Sequence, residues 1–207
     1  MKFSCVIPVF NVPAHHLLES FACIKLQQHC DQIIIVDDGS HRADTLNALS
    51  IISSDCEIIR NKFNSGMAAS LNVAHRAASN EWIIHMDADD VCSPDRFALQ
   101  AAYINDNPDA DVVGCQLFAF RDGDINRTPI FTTDHAEIPP LRDDERYRYW
   151  ILNHATIAIR QSAWRDAGGY AHECRRAQDL ELWKRMYEMG MQFRNLPDVL
   201  YGWRRYA

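Results

Sequence analysis

Residues 82–97 read Trp82-Ile83-Ile84-His85-Met86-Asp87-Ala88-Asp89-Asp90-Val91-Cys92-Ser93-Pro94-Asp95-Arg96-Phe97. A short, bulky, mostly apolar run over 82–86 breaks into three carboxylates and then a helix start, with Ser93 as the expected N-cap and Pro94 at the first helical position. The run reads as a buried strand and the acids as the loop at its C-terminal end. Extended backbone turns residues i and i+2 to one side, so Asp87 and Asp89 can present their carboxylates together while Ala88 and Asp90 face away. Two hard oxygen donors, with the remaining positions left to water and phosphate oxygens, suit Mg²⁺ or Mn²⁺. A solvated acidic turn is the competing reading of these residues taken alone.

Upstream, the chain alternates strand and helix signals. Phe3 to Phe10 is rich in β-branched and aromatic residues and ends at Asn11-Val12-Pro13. Leu17, Phe21 and Ile24 recur at helical spacing. In Gln32-Ile33-Ile34-Ile35-Val36 the four residues after Gln32 are continuously apolar, as a parallel strand covered on both faces should be, and the run stops at Asp37-Asp38-Gly39-Ser40. A helix carrying Leu46, Leu49 and Ile52 follows, then a strand at Glu57 to Arg60, a turn-rich loop from Asn61 to Gly66, and a helix with the stripe Met67, Leu71, Ala74, Ala78. This order predicts an α/β fold with a doubly wound, mostly parallel sheet. Ligands of such sheets bind outside the carboxyl ends of the strands, so Asp38, Gly66 and Asp89 are expected to converge on one crevice.

The second half reads as α+β. A helix is expected from Pro94 to Asn105, a strand from Asp111 to Phe120, a long polar loop over 121–148, a strand from Ala155 to Arg160 and a helix from Ser162 to Ala167. After the turn Gly168-Gly169-Tyr170, the segment Gln178-Asp179-Leu180-Glu181-Leu182-Trp183 opens a helix ending near Gly190. Leu180, Trp183 and Tyr187 would bury one face and leave Asp179 in the first turn. Of Trp150, Trp164 and Trp203, at least two are expected in the core rather than on a sugar ring.

The 207 residues suit one domain, 1–207, with a first half over 1–92 and a second over 93–207. A net charge of −7 argues against nucleic acid as a partner. Seven scattered cysteines without a Cys-x-x-Cys pair read as reduced structural thiols. No signal-peptide core and no run of eighteen apolar residues is present, which leads to the expectation of a cytoplasmic protein, with peripheral association at the inner face of the membrane left open.

Six segments in order resemble the family 2 glycosyltransferases, inverting nucleotide-sugar enzymes of GT-A fold: Val6 to Asn11, Ile35 to Ser40, Asn64-Ser65-Gly66 through Asn72, Asp87-Ala88-Asp89-Asp90 with Pro94-Asp95-Arg96, Gly168-Gly169-Tyr170, and Gln178 to Trp183. The resemblance implies a nucleotide-sugar site built from Pro8, Phe10, Asn11, Asp38, Asn64, Gly66, Asp87 and Ala88, with Asp38 accepting a hydrogen bond from the base. It implies an Asp-x-Asp at Asp87 and Asp89 for a divalent cation, Mn²⁺ or Mg²⁺, and Asp179 as the base that deprotonates the acceptor hydroxyl. Turn capping competes for one of Asp37 and Asp38, and a helix N-cap role competes for Asp179. His154 and Gln178 fall on the acceptor side. The expected activity is transfer of one sugar, from a UDP-sugar by preference, to a glycan or lipid-linked acceptor.

The chain departs from the family where Gln178 replaces the first of two acids and Leu71 stands where many members carry arginine. The Gln-x-x-Arg-Trp of processive members is absent. A sugar nucleotidyltransferase lacks support because no glycine-rich basic loop follows the first strand. A receiver domain or a domain that binds sugar nucleotides without turnover are the remaining alternatives.

Overall fold

The computed structural model describes residues 1–145, 148–174 and 177–206. Four strands, β1 (Phe3–Val9), β2 (Cys30–Asp37), β3 (Glu57–Arg60) and β4 (Trp82–His85), lie in the order β3-β2-β1-β4, every neighbouring pair parallel. Parallel neighbours need crossovers, supplied by α1 (Ala14–Lys25), α2 (Ala43–Ile52) and α3 (Met67–Ala77). Cys5, Ile7, Ile35 and Ile84 pack on one face with Leu17, Phe21, Ile24 and Leu49, while Val6, Ile34, Val36 and Ile83 pack on the other with Leu71 and Ala74. Burial on both faces is why these strands are apolar at consecutive positions.

The sheet continues through the second half as β4-β8-β6-β9-β5, with β7 paired to β6. Its strands are β5 (Val91–Cys92), β6 (Val112–Arg121), β7 (Pro129–Thr132), β8 (Ala158–Arg160) and β9 (Phe193–Arg205). β8 runs antiparallel to β4 and β6, whereas β9 is parallel to β6. The helices are α4 (Arg96–Asp106), α5 (Gln161–Asp166) and α6 (Gln178–Glu188). α4 joins the core of α1 and α2; α5 and α6 join that of α3. The α/β, doubly wound fold expected from the sequence is present.

Several local expectations change. Helix α4 starts at Arg96, not at Pro94, because the Ser93 N–H donates to the Leu200 carbonyl and holds that residue extended against β9. Residues 193–205 had no expected element, yet form the longest strand. Cys115 pairs with Leu196 and Gln116 with Val199, so Pro197 and Asp198 bulge out of the ladder and reset the alternation that marks a strand. Residues 121–148 contain β7, and the strand expected from Ala155 begins only at Ala158, after a 3-10 turn over His154–Thr156. Trp164 is buried, but Trp150 and Trp203 are each 38% exposed, and Tyr187 yields its place on the buried face of α6 to Met186. Of the long polar loop expected over 121–148, residues 146–147 lie outside the described residues.

Candidate active site

The parallel strands β1, β2 and β4 bring their C-terminal ends to one edge of the sheet. Beside β1 a cavity of about 280 Å³ is lined by Pro8, Val9, Phe10, Asp38, Asn64, Gly66, Met67 and Ser70. Five of the predicted site residues, Pro8, Phe10, Asp38, Asn64 and Gly66, therefore meet around one hollow. Phe10 is 43% exposed at its rim and stands edge-on to His41, leaving aromatic surface for a flat ligand.

Asp38 organises the hollow. Its Oδ1 accepts from Asn61 Nδ2 (2.8 Å) and the Ser65 N–H (2.9 Å), and its Oδ2 accepts from the Gly66 N–H (2.8 Å). An ionised carboxylate has about four acceptor sites, so one remains for a ligand. Gly66 takes φ +91°, a conformation that suits glycine, with no atom near a would-be Cβ; backbone conformation rather than space selects the residue. Asp37 is the capping member of the pair: its Oδ1 accepts from the Ser40 N–H. Asn11, expected beside the nucleotide, is outside the hollow's lining. It takes φ +52°, and its Oδ1 accepts from the N–H groups of His41 and Arg42, fixing the entry to α2.

Along 87–90 the side chains alternate as expected. Asp87 and Asp89 are partly exposed, whereas Ala88 and Asp90 are buried. Ala88 packs its methyl in the core, so only its backbone can face a donor. The third acid is structural: Asp90 Oδ2 accepts from the Tyr201 hydroxyl (2.8 Å) and Oδ1 from the Arg204 N–H (2.7 Å), tying the acidic loop to β9. Burial, then the Asp89 charge, pushes the Asp87 carboxyl up to about 7, and the carboxylate has no hydrogen-bond donor among the described residues. Asp89 Oδ2 accepts from the Tyr206 hydroxyl at 2.6 Å.

Two adjacent oxygen ligands, one destabilised as an anion by its surroundings, fit a hard divalent cation. No group of three or more His, Cys, Asp or Glu suited to a metal occurs among the described residues. The chain thus offers a two-carboxylate face, and water and phosphate would complete the shell. All seven cysteines are free thiols; burial pushes Cys30 and Cys92 up to about 12, out of the range of thiolate chemistry at neutral pH.

Asp179 is the second residue of α6, not its N-cap. Ala177 holds that place, in left-handed conformation (φ +56°), and makes no side-chain capping bond. The Asp179 carboxylate has no hydrogen bond among the described residues, and its charge adds to those acting on Asp87. The base candidate and the cation candidate share one electrostatic environment. Gln178 is partly buried in the same turn, and His154 is partly buried nearby, bonded to the Tyr170 hydroxyl at 2.8 Å.

Three supporting residues were given no role from the sequence, although Arg96 lies in one of the six quoted segments. Arg96 is fully buried beneath the acidic loop; it donates to the carbonyls of His85 and Ala155, stacks on Tyr201 and favours the ionised form of Asp87. Its place directly after Pro94-Asp95 was a visible signal. Tyr201 accepts from the Asp87 N–H while donating to Asp90. Arg204 donates to the Asp89 carbonyl and pairs with Asp122 and Glu19. Both depend on β9, whose strand pattern the bulge conceals.

The profile of Glycosyl transferase family 2 matches residues 4–167. An uncharacterized glycosyltransferase of Haemophilus influenzae is 29% identical over 97% of this chain and 74% of its own length. The amylovoran biosynthesis glycosyltransferase AmsE of Erwinia amylovora is 26% identical over 96% of this chain and 74% of its own. Among solved structures, S. aureus TarS 1–349 in complex with UDP-GlcNAc superposes with a TM-score of 0.78 at 20% identity, covering 99% of this chain and 59% of that one. The mannosyltransferase PcManGT of Pyrobaculum calidifontis, in complex with GDP-Man and Mn²⁺, gives 0.72 at 19% identity, covering 97% of this chain and 56% of that one. The fold is that of GT-A glycosyltransferases. The chain spans about three quarters of these curated relatives and about three fifths of these solved chains.

Proposed function

Since the chain belongs to glycosyl transferase family 2, we propose that it transfers one sugar, with inversion, from a nucleoside-diphosphate sugar to a hydroxyl of a glycan or lipid-linked acceptor. A UDP-sugar is the favoured donor. The reading is supported by a hollow lined by Pro8, Phe10, Asp38, Asn64 and Gly66 and, outside that lining, by an Asp87–Asp89 pair whose Asp87 feels the charge of Asp179.

In this reading Phe10 offers a face to the base, and the remaining acceptor site of Asp38 takes a base N–H. Asp179, in the uncapped first turn of α6 and without a hydrogen-bonding partner among the described residues, takes the proton of the acceptor hydroxyl while that oxygen attacks the anomeric carbon. Attack from the side opposite the departing diphosphate inverts the anomeric centre. Asp87 and Asp89 would hold Mn²⁺ or Mg²⁺, which neutralises charge on the leaving diphosphate. Gln178 and His154 border the acceptor side. An acceptor anchored in lipid would bring the protein to the inner face of the membrane by peripheral contact; no helix among the described residues is long and apolar enough to cross one.

The test is calorimetric titration with UDP, GDP and dTDP, with and without Mn²⁺, on the wild type and Asp89→Ala. Tight binding of one nucleotide only with metal, lost in Asp89→Ala, is the expected result. Absence of binding by all three under both conditions would overturn the assignment.

A further inference from the structure

We propose that His154, fixed by Tyr170, is a positioning residue that sets Asp179 against the Asp87–Asp89 loop; the proposal rests on Asp179 being the base. The first turn of α6 needs such a support. It follows a left-handed Ala177, has no side-chain cap, and carries Asp179 without a hydrogen-bonding partner among the described residues. A short-range proton transfer requires that carboxylate to be held to within a fraction of an ångström.

Beneath it lies a continuous polar cluster that the proposed chemistry does not use. His75 Nε2 and His85 Nε2 are 2.8 Å apart, His85 and His154 stand edge to face at 4.7 Å, and His154 Nε2 meets the Tyr170 hydroxyl at 2.8 Å. The Nδ1 atoms of His75 and His85 are buried without partners, an arrangement that weakens the core and calls for a compensating reason. His154 is the member that joins the two halves of the site. One side of its ring meets His85, two residues before Asp87. Another meets Trp183, one helical turn beyond Asp179, at 6.0 Å.

Tyr170 is itself immobilised. Its backbone N–H and carbonyl are both bonded to the buried Asn72 side chain, so the hydroxyl that meets His154 is anchored on α3. Electrostatics agree with this placement. Burial lowers His154 and raises Tyr170, and the charge acting on each after burial is that of Asp179. The imidazole and phenol form a neutral, hydrogen-bonded floor from which the base projects.

The experiment follows release of UDP from UDP-N-acetylglucosamine and of GDP from GDP-mannose with Mn²⁺, alongside calorimetric affinity for the same nucleotides. His154→Gln and Tyr170→Phe are each expected to lower kcat about 10- to 100-fold while nucleotide affinity stays within about twofold. His75→Phe, which removes the polar contact with His85 but keeps an aromatic ring against Trp164 and Tyr170, is expected to lower the thermal midpoint and leave kcat unchanged. A folded His154→Gln with wild-type kcat overturns the proposal, as does a loss matched by His75→Phe; if His154→Gln does not fold, Tyr170→Phe decides in the same way. Asp179→Asn separates the two layers. Retained turnover in that variant, or none in the wild type with either donor, removes the catalytic reading and this one with it. Loss in Asp179→Asn with normal rates in the His154 and Tyr170 variants removes the positioning role alone.

Discussion

Asn72 and Tyr170 exchange two buried hydrogen bonds across the molecule: Asn72 Nδ2 donates to the Tyr170 carbonyl at 2.8 Å, and the Tyr170 N–H donates to Asn72 Oδ1 at 2.9 Å. This clamp joins two of the segments that carry the family resemblance. It also accounts for Gly169, where φ is +71° and an added Cβ would stand 2.9 Å from both Asn72 Oδ1 and the Trp164 ring. Asn72→Ala leaves a buried donor and a buried acceptor unpaired and is expected to lose about 2–6 kcal/mol, counting about 1–3 for each group. Urea denaturation of the two proteins measures the difference.

Asp90 should make the protein less stable as pH rises. Burial raises its folded pKa from 3.8 to about 8, so between those values the native state holds a proton that the unfolded chain has lost. Stability contributed at this position is therefore highest below about pH 4 and falls until about pH 8. The carboxamide introduced by Asp90→Asn does not titrate, and its oxygen can accept from the Arg204 N–H as the carboxylate does. Thermal midpoints of wild type minus Asp90→Asn, taken without metal across this range, should decline steadily; a flat difference would contradict the assignment.

His75 works in the opposite direction. Burial lowers it from 6.5 to about 3, so the unfolded chain takes up a proton first as pH falls. Stability at this site is complete above about pH 6.5 and lost toward about pH 3. The difference between wild type and His75→Phe, measured by denaturant midpoints, should shrink or reverse as the solution is acidified through that window.

Tyr206 orients Asp89 through the 2.6 Å bond from its hydroxyl. Loss of such a partner behind a metal-binding carboxylate commonly costs 10–100-fold in metal affinity, so Tyr206→Phe should weaken Mn²⁺ binding by about tenfold. Titration with Mn²⁺ by calorimetry, with UDP present, reads this directly. Unchanged affinity would make the contact incidental.

Asp179→Asn keeps the shape of the first turn of α6 but removes the proton acceptor. Turnover should fall by about 10²–10⁴, with nucleotide affinity held within about twofold. Nucleotide release rates and calorimetry on the same preparation separate these two effects.

The alternating strands and helices of residues 3–92 were legible because both faces of a parallel sheet are covered, which writes Ile33 to Val36 as an unbroken apolar run and Trp82 to Met86 as one interrupted only by His85. Asp38 and Gly66 were expected together on the same basis, since short crossovers bring strand ends to one edge, and they line one hollow, whereas Asp89 is outside its lining. β9 was not legible: Pro197 and Asp198 interrupt its alternation, and its meaning comes from pairing with β6. With β9 hidden, Tyr201, Arg204 and Tyr206 could not be linked to the acidic loop they hold.

Local sequence thus determined which residues carry oxygen donors, which turns need glycine, and most of the apolar face of the helices, because these follow from covalent structure and from periodicity along the chain. Only the tertiary structure decided how far each donor is already engaged. Asp37 and Asp90 serve the protein's own N–H and O–H groups, Asp38 keeps one acceptor site of its own, Asn11 holds a loop, and the carboxylates of Asp87 and Asp179 are left without hydrogen-bonding partners among the described residues. That outcome depends on contacts between residues far apart in the chain, where burial sets the cost of each charge and a neighbour's N–H or O–H decides whether it is met.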